Sequence, residues 1–296
     1  VIAAALRLAA GLALGALAAS PPAAARAVDQ AGWNEAKRSV RLRDGLRLTY
    51  VEAGDPAGEP LVLIHGWTDT SRSFSLLVPH LAGFRLIVPD LRGHGSSDKP
   101  ACCYAVGDLA DDIRRLLDAK GIRRASIVGH SLGGIVAQRF AAEHPDRTAR
   151  LALLASTPDP VLAPGDPLWT AVMALRAPID PESGFMRAWV SGETPVEPAL
   201  LAAVRPETAG VPIHVWRAVA RELATTSAGK LAPEVTAPVL VLWGDRDAFF
   251  GPASQRRLRE LHPRARYREL KGQGHNLHWE VPGVVGPVLA DFLRGD

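Results

Sequence analysis

The chain of 296 residues carries a formal charge of +3, with 47% hydrophobic and 22% charged side chains. These proportions suit an ordinary globular protein with a sizeable core and exclude disorder. Arg is scattered rather than gathered into a stripe with interleaved aromatics, so no nucleic-acid partner is expected, and only two cysteines are present, side by side, too few for a disulfide framework or a Cys-based metal site.

Residues 1–19 are rich in Ala and Leu with Arg7 as their only charge, and Pro21, Pro22 and the small residues Ala23 to Ala25 follow. A positive charge, an apolar stretch and an A-x-A site are the layout of an export signal, here cleaved after Ala25 or Ala27. The stretch is nearly long enough for a membrane anchor, but Ala anchors weakly and the Pro pair would break a spanning helix. Residues 1–27 are therefore expected to be a signal peptide. The mature protein is expected to be periplasmic or extracellular, without stable membrane insertion.

Val40–Leu42 and Leu46–Val51 alternate around Asp44-Gly45, as a β-hairpin does. Short apolar runs follow at Leu61–Ile64, Arg85–Val88, Ala125–Val128, Leu151–Leu154 and Pro238–Trp243, which is how strands buried on both faces read. Helical patterns lie between and after them at Val106–Ala119, Leu132–Glu143 and Val284–Leu293. Alternating strands and helices predict an α/β fold with a mostly parallel central sheet flanked by helices. The alternation fails over residues 157–234, where Trp169, Met173, Phe185, Met186, Trp189 and Trp216 sit on helical patterns without a strand. That stretch predicts a helical lid inserted in a core made of residues 28–156 and 235–296. Trp169, Trp189 and Trp216 are its candidate substrate-binding residues. Cys102 and Cys103 are expected to be free, partly buried thiols, with a vicinal disulfide as the alternative.

Gly129-His130-Ser131-Leu132-Gly133 is a G-x-S-x-G pentapeptide, weak evidence alone but here set between a strand and a helix. That context makes Ser131 the candidate nucleophile. A serine hydroxyl needs a base, and among nine histidines His275 follows the strand-like Arg266–Leu270 and precedes the last helix, which brings it to the same sheet edge. His278 is the competitor. A carboxylate must hold the base, and Gly244-Asp245-Arg246-Asp247 supplies Asp247, with Asp245 as runner-up. No cofactor or metal is expected, because His275, His278 and Glu280 do not have the spacing of a zinc helix.

With its five motifs in order, the sequence resembles the lid-bearing α/β-hydrolase superfamily. The matching stretches are Leu63 to Trp67, Pro89 to Asp98, Gly129 to Gly134, Gly244 to Asp247, and Gly274-His275 through Pro282. The resemblance implies an oxyanion hole built from the backbone N–H groups of Trp67 and Leu132, and a scaffolding role for the Asp90 to Gly95 loop. Trp67 after His-Gly also resembles haloalkane dehalogenases and epoxide hydrolases. Those use an Asp nucleophile, and the epoxide hydrolases also place Tyr residues in the lid. Here Ser131 takes the nucleophile position and the three tyrosines lie outside residues 157–234. The expected activity is hydrolysis of a small-molecule carboxylic ester or lactone through a seryl acyl-enzyme. The alternatives are carbon–carbon bond hydrolysis or perhydrolysis by the same triad, and a catalytically silent binding protein on the same fold.

Overall fold

A computed structural model describes residues 29–296 of the chain. The expected export signal lies outside the described residues. In chain order the regular elements begin with β1 (Lys37–Arg41), β2 (Arg47–Gly54), β3 (Pro60–Ile64), β4 (Arg85–Asp90), α1 (Val106–Ala119), β5 (Ala125–His130), α2 (Leu132–Glu143) and β6 (Thr148–Leu154). Four helices with no strand among them come next: α3 (Pro167–Ala174), α4 (Gly184–Trp189), α5 (Pro198–Ala209) and α6 (Ile213–Leu223). The chain then returns to the sheet through β7 (Val239–Gly244), α7 (Pro252–Leu261), β8 (Arg266–Leu270), α8 (Leu277–Glu280) and α9 (Pro282–Arg294).

The eight strands form one sheet in the order β1-β2-β4-β3-β5-β6-β7-β8. Only the β1–β2 and β2–β4 pairs are antiparallel. The apolar runs are unbroken because both faces are covered. Val62, Ile64, Ile127, Leu151, Leu153 and Val241 pack on one face with Leu109, Ile113 and Ile135 of α1 and α2. The alternate residues Leu61, Leu63, Val128, Leu154 and Leu242 pack on the other, with Phe74, Leu289 and Phe292. Each fully buried Leu, Ile or Val contributes about 1.5–3 kcal/mol, so the central strands are the least replaceable part of the fold.

The parallel registers align the carboxyl ends of the strands. Ile64 pairs with Gly129, His130 with Leu154, and Gly244 with Leu270. The loops after β3, β5, β7 and β8 therefore open on one edge of the sheet, where ligands of open α/β sheets bind.

The cysteine expectation is corrected. Cys102 and Cys103 are both exposed and joined to each other as a disulfide, with Cα atoms 3.8 Å apart. Cys103 takes the left-handed backbone conformation, φ 72°.

Candidate active site

Ser131 stands between the end of β5 and the first residue of α2 with φ 54° and ψ −121°. This backbone conformation costs a non-glycine residue on the order of 1–3 kcal/mol and persists only where the surroundings impose it. Here the Ser131 N–H donates to the Leu154 carbonyl at 3.0 Å, and the Ser131 carbonyl accepts from Gly134 N–H at 2.9 Å and from the Ser156 hydroxyl at 3.0 Å. Two neighbours must be glycine. A Cβ on Gly129 would lie 2.1 Å from the Gly133 carbonyl oxygen, and one on Gly133 would lie 2.1 Å from that of Ile64.

His275 sits in the loop after β8. Its Nδ1 lies 3.0 Å from each carboxylate oxygen of Asp247, which the loop after β7 supplies. Asp247 Oδ1 also accepts the N–H groups of Phe249 at 2.8 Å and Phe250 at 3.0 Å. Burial by itself would raise this carboxyl, but the charge and hydrogen bond of His275 and the two N–H donors outweigh it and hold it below its usual range. Asp245 points elsewhere, accepting from Gly272 N–H at 2.6 Å and lying 3.5 Å from the Lys271 ammonium. The His275 loop is itself held by Glu280, whose Oε2 accepts the Gly274 N–H at 2.7 Å.

Ser131 and His275 line one cavity of about 80 Å³ with Trp67, Trp189, Phe249 and Trp279 among its walls. No hydrogen bond joins Ser131 Oγ to the imidazole among the described residues, a common state for such pairs before substrate binds. The loop after β3 comes close to the serine, since a Cβ on Gly66 would lie 3.2 Å from Ser131 Cβ. The backbone N–H groups of Trp67 and Leu132 have no acceptor among the described residues. Leu132 N–H also opens a helix of 12 residues, whose N-terminal dipole favours negative charge.

His278 does not reach the cavity. It is fully buried behind His130, ring centroids 4.2 Å apart, with Nε2 2.9 Å from the Ser73 hydroxyl. Burial, followed by the charge of His275, lowers its pKa to about 3, so it stays neutral. His65 and His94 are likewise sealed in the fold, lowered to about 4 and about 3, mainly by burial. Asp90 scaffolds the neighbourhood, taking the Lys37 ammonium at 2.9 Å and the N–H groups of Ser71 and Ser96, each at 2.8 Å.

Of the three tryptophans expected to contact substrate, only Trp189 lines the cavity. Trp216 is corrected to a packing residue. It lies on the inner stripe of α6 with Val215, Val219 and Leu223, fully buried, its ring 5.5 Å from Trp67 and 5.2 Å from Trp189. Trp169 is corrected as well. On α3 it stands about 100° round the helix from Leu168, which reaches the cavity, while Trp169 packs against the core.

Sequence reasoning missed Phe249, Phe250, Asn276 and Asp69, all of which line the cavity. The two phenylalanines directly follow Asp247 at a strand end, an apolar pair in a polar loop, and could have been singled out. Asp69, two residues after Trp67, gave no comparable signal. It is buried, accepts the Ser73 hydroxyl at 3.0 Å, and lies 3.9 Å from His130 Nδ1.

A profile of the alpha/beta hydrolase fold family matches residues 59–282. The chain belongs to the α/β hydrolase family. The chain is 30% identical over 223 residues to a 2-hydroxy-6-oxononadienedioate/2-hydroxy-6-oxononatrienedioate hydrolase of Dechloromonas aromatica, covering 72% of this chain and 77% of that one. An uncharacterised protein of Mycobacterium tuberculosis is 49% identical over 73 residues, which are 25% of this chain and 21% of the relative; the chain thus spans about a fifth of that relative's length. Among solved structures, the enol-lactonase of Burkholderia xenovorans superposes with a TM-score of 0.75 at 26% identity, over 87% of this chain and all of that one.

Proposed function

We propose that this hydrolase cleaves carboxylic esters or lactones through an acyl-enzyme on Ser131. The observation that carries the reading is the paired His275–Asp247 contact at 3.0 Å in the cavity that the strained Ser131 also lines. In this mechanism Ser131 Oγ attacks the acyl carbon while His275 Nε2 takes its proton, then passes it to the leaving alcohol. Asp247 fixes the tautomer by accepting the Nδ1 proton and offsets the imidazolium charge. The N–H groups of Trp67 and Leu132 receive the oxyanion, a contribution of about 3–4 kcal/mol per donor to the transition state. Water activated by His275 then releases the acid.

The cavity supports a neutral, largely apolar acyl group. Its walls are mostly aromatic and aliphatic, with Asp69 and Asn276 among them, and no Arg or Lys lines it among the described residues. The Dechloromonas relative is named for a diacid, whose carboxylates would find no cation here. A panel of p-nitrophenyl esters and simple lactones tests the reading with purified protein. Turnover of short and medium esters is expected; a protein inert to every ester and lactone overturns it.

The helices between β6 and β7 are proposed as the lid that sets acyl length, with Trp189 as its main contact. An apolar wall gains about 0.8 kcal/mol per methylene, or about fourfold in kcat/KM per carbon, until space runs out. Replacing Trp189 by Ala is expected to raise the kcat/KM ratio of octanoate to butyrate by about tenfold. An unaltered ratio would make these helices packing only. Residues 1–27 are proposed to export the protein; an N-terminus at Arg26 or Val28 in protein recovered from outside the cytoplasm tests this.

A further inference from the structure

One titratable group in the cavity is idle in the mechanism above. Asp69 belongs to the loop after β3, and its two carboxylate oxygens have different surroundings. Oδ2 accepts the Ser73 hydroxyl and faces His130 Nδ1 at 3.9 Å. Oδ1 has no side-chain donor among the described residues, and the Gly66 backbone N–H acts on the carboxylate from the same loop. The carboxylate lines the same cavity as Ser131 and His275. Every other cavity wall is apolar, an amide, a backbone group or part of the Ser131 and His275 machinery, apart from the edge of His130.

We propose that Asp69 is a specificity-determining residue that rejects substrates with an anionic acyl group and favours those carrying a cationic or hydrogen-bond-donating group within its reach. The proposal rests on the ester-hydrolase reading of Ser131 and names the substrate class of that site. The physical reason is the absence of compensation. A substrate carboxylate entering this cavity would leave water, meet no Arg or Lys, and face a second carboxylate across a few ångströms of low-dielectric space. An ammonium or hydroxyl would instead donate to the Asp69 carboxylate.

The neighbours of Asp69 set the pH at which the discrimination acts. Ser73, His130 and His275 act on it from the surrounding loops, with His278 of α8 behind Ser73, and Glu207 acts on it from α5. Burial pushes its carboxyl up to about 7, against the Ser73 hydrogen bond and the charge of His275. A carboxyl raised in this way is neutral below that pH and charged above it, so rejection of anions strengthens as pH rises.

The test uses three esters that differ only at the end of a four-carbon acyl chain: ethyl butyrate, ethyl hydrogen succinate and ethyl 4-aminobutyrate, with ethanol release as the readout. At about pH 8.5 the wild type should prefer butyrate over the succinate ester by well over tenfold. Asp69→Asn should raise the succinate-to-butyrate ratio of kcat/KM by about tenfold and lower the aminobutyrate-to-butyrate ratio. The wild type alone provides a second reading. Its succinate-to-butyrate ratio should fall between about pH 6 and pH 8.5, and titration of the shared base cancels from that ratio. Equal ratios in wild type and variant, or a wild-type ratio flat with pH, would overturn the assignment. Failure of the underlying reading looks different, because the wild type would then hydrolyse none of the three esters.

Discussion

Replacing Ser131 by Ala is expected to lower ester turnover by about 10⁶-fold while leaving the fold in place. The acyl-enzyme cannot form without Oγ, and water would have to attack directly with only the oxyanion donors and the bound geometry to help. The fold survives because what holds the elbow is backbone. Ser131 N–H on Leu154, the Ser131 carbonyl on Gly134 and Ser156, and the glycines at 129 and 133 are untouched by the change. Ala also bears the left-handed backbone at a cost similar to that of Ser. A fluorophosphonate probe should label the wild type and not the variant, with circular dichroism unchanged. Labelling that persists in the variant would place the nucleophile elsewhere.

The second large effect is expected at Asp247. Its replacement by Asn should reduce kcat by about 10⁴-fold, because an amide can donate to His275 Nδ1 and so stabilise the tautomer with its proton on Nε2, the nitrogen that must accept from Ser131. Asn keeps a carbonyl oxygen for the Phe249 and Phe250 N–H groups, so the loop is expected to hold. The control is Asp245→Asn, which touches only the Gly272 turn and Lys271 and should change kcat by less than about tenfold. A reversed ranking of the two variants would move the acid to Asp245.

The parts of the molecule legible in the sequence were those with one dominant physical cause. Strands buried on both faces read as apolar runs because nothing polar can be accommodated there, and five strands overlap the runs that predict them. The first strand starts at Lys37, three residues earlier than Val40, because an exposed edge strand carries no apolar signature in that stretch. The last helix starts at Pro282, since Pro fits the first turn of a helix although it interrupts an apolar pattern. Ser131, Asp247 and His275 could be picked out because each follows a strand, and parallel register carries strand ends to one edge.

Tertiary contact decided what was not legible. Trp169, Trp189 and Trp216 are alike as residues, and only the rotation of α3, α4 and α6 against the core separates a cavity wall from packing. Asp69 is one acid among many until the fold buries it beside His130 and within reach of the His275 charge.

The strand order carries a consequence for how the site wears out. Ser131 hangs from β5, walled in by β3 and β6, whereas His275 hangs from β8, which pairs with β7 alone and leaves most of its side chains in water. Opening free energies inside a protein range from near zero at margins to the global value at the centre. The proposed nucleophile is thus fastened to the most durable plank of the sheet and its proposed base to the outermost one. Under heat or denaturant Ser131 and His275 should part at the rim, so that an intact and correctly strained serine outlives its proposed proton acceptor and the protein falls silent while most of it is still folded.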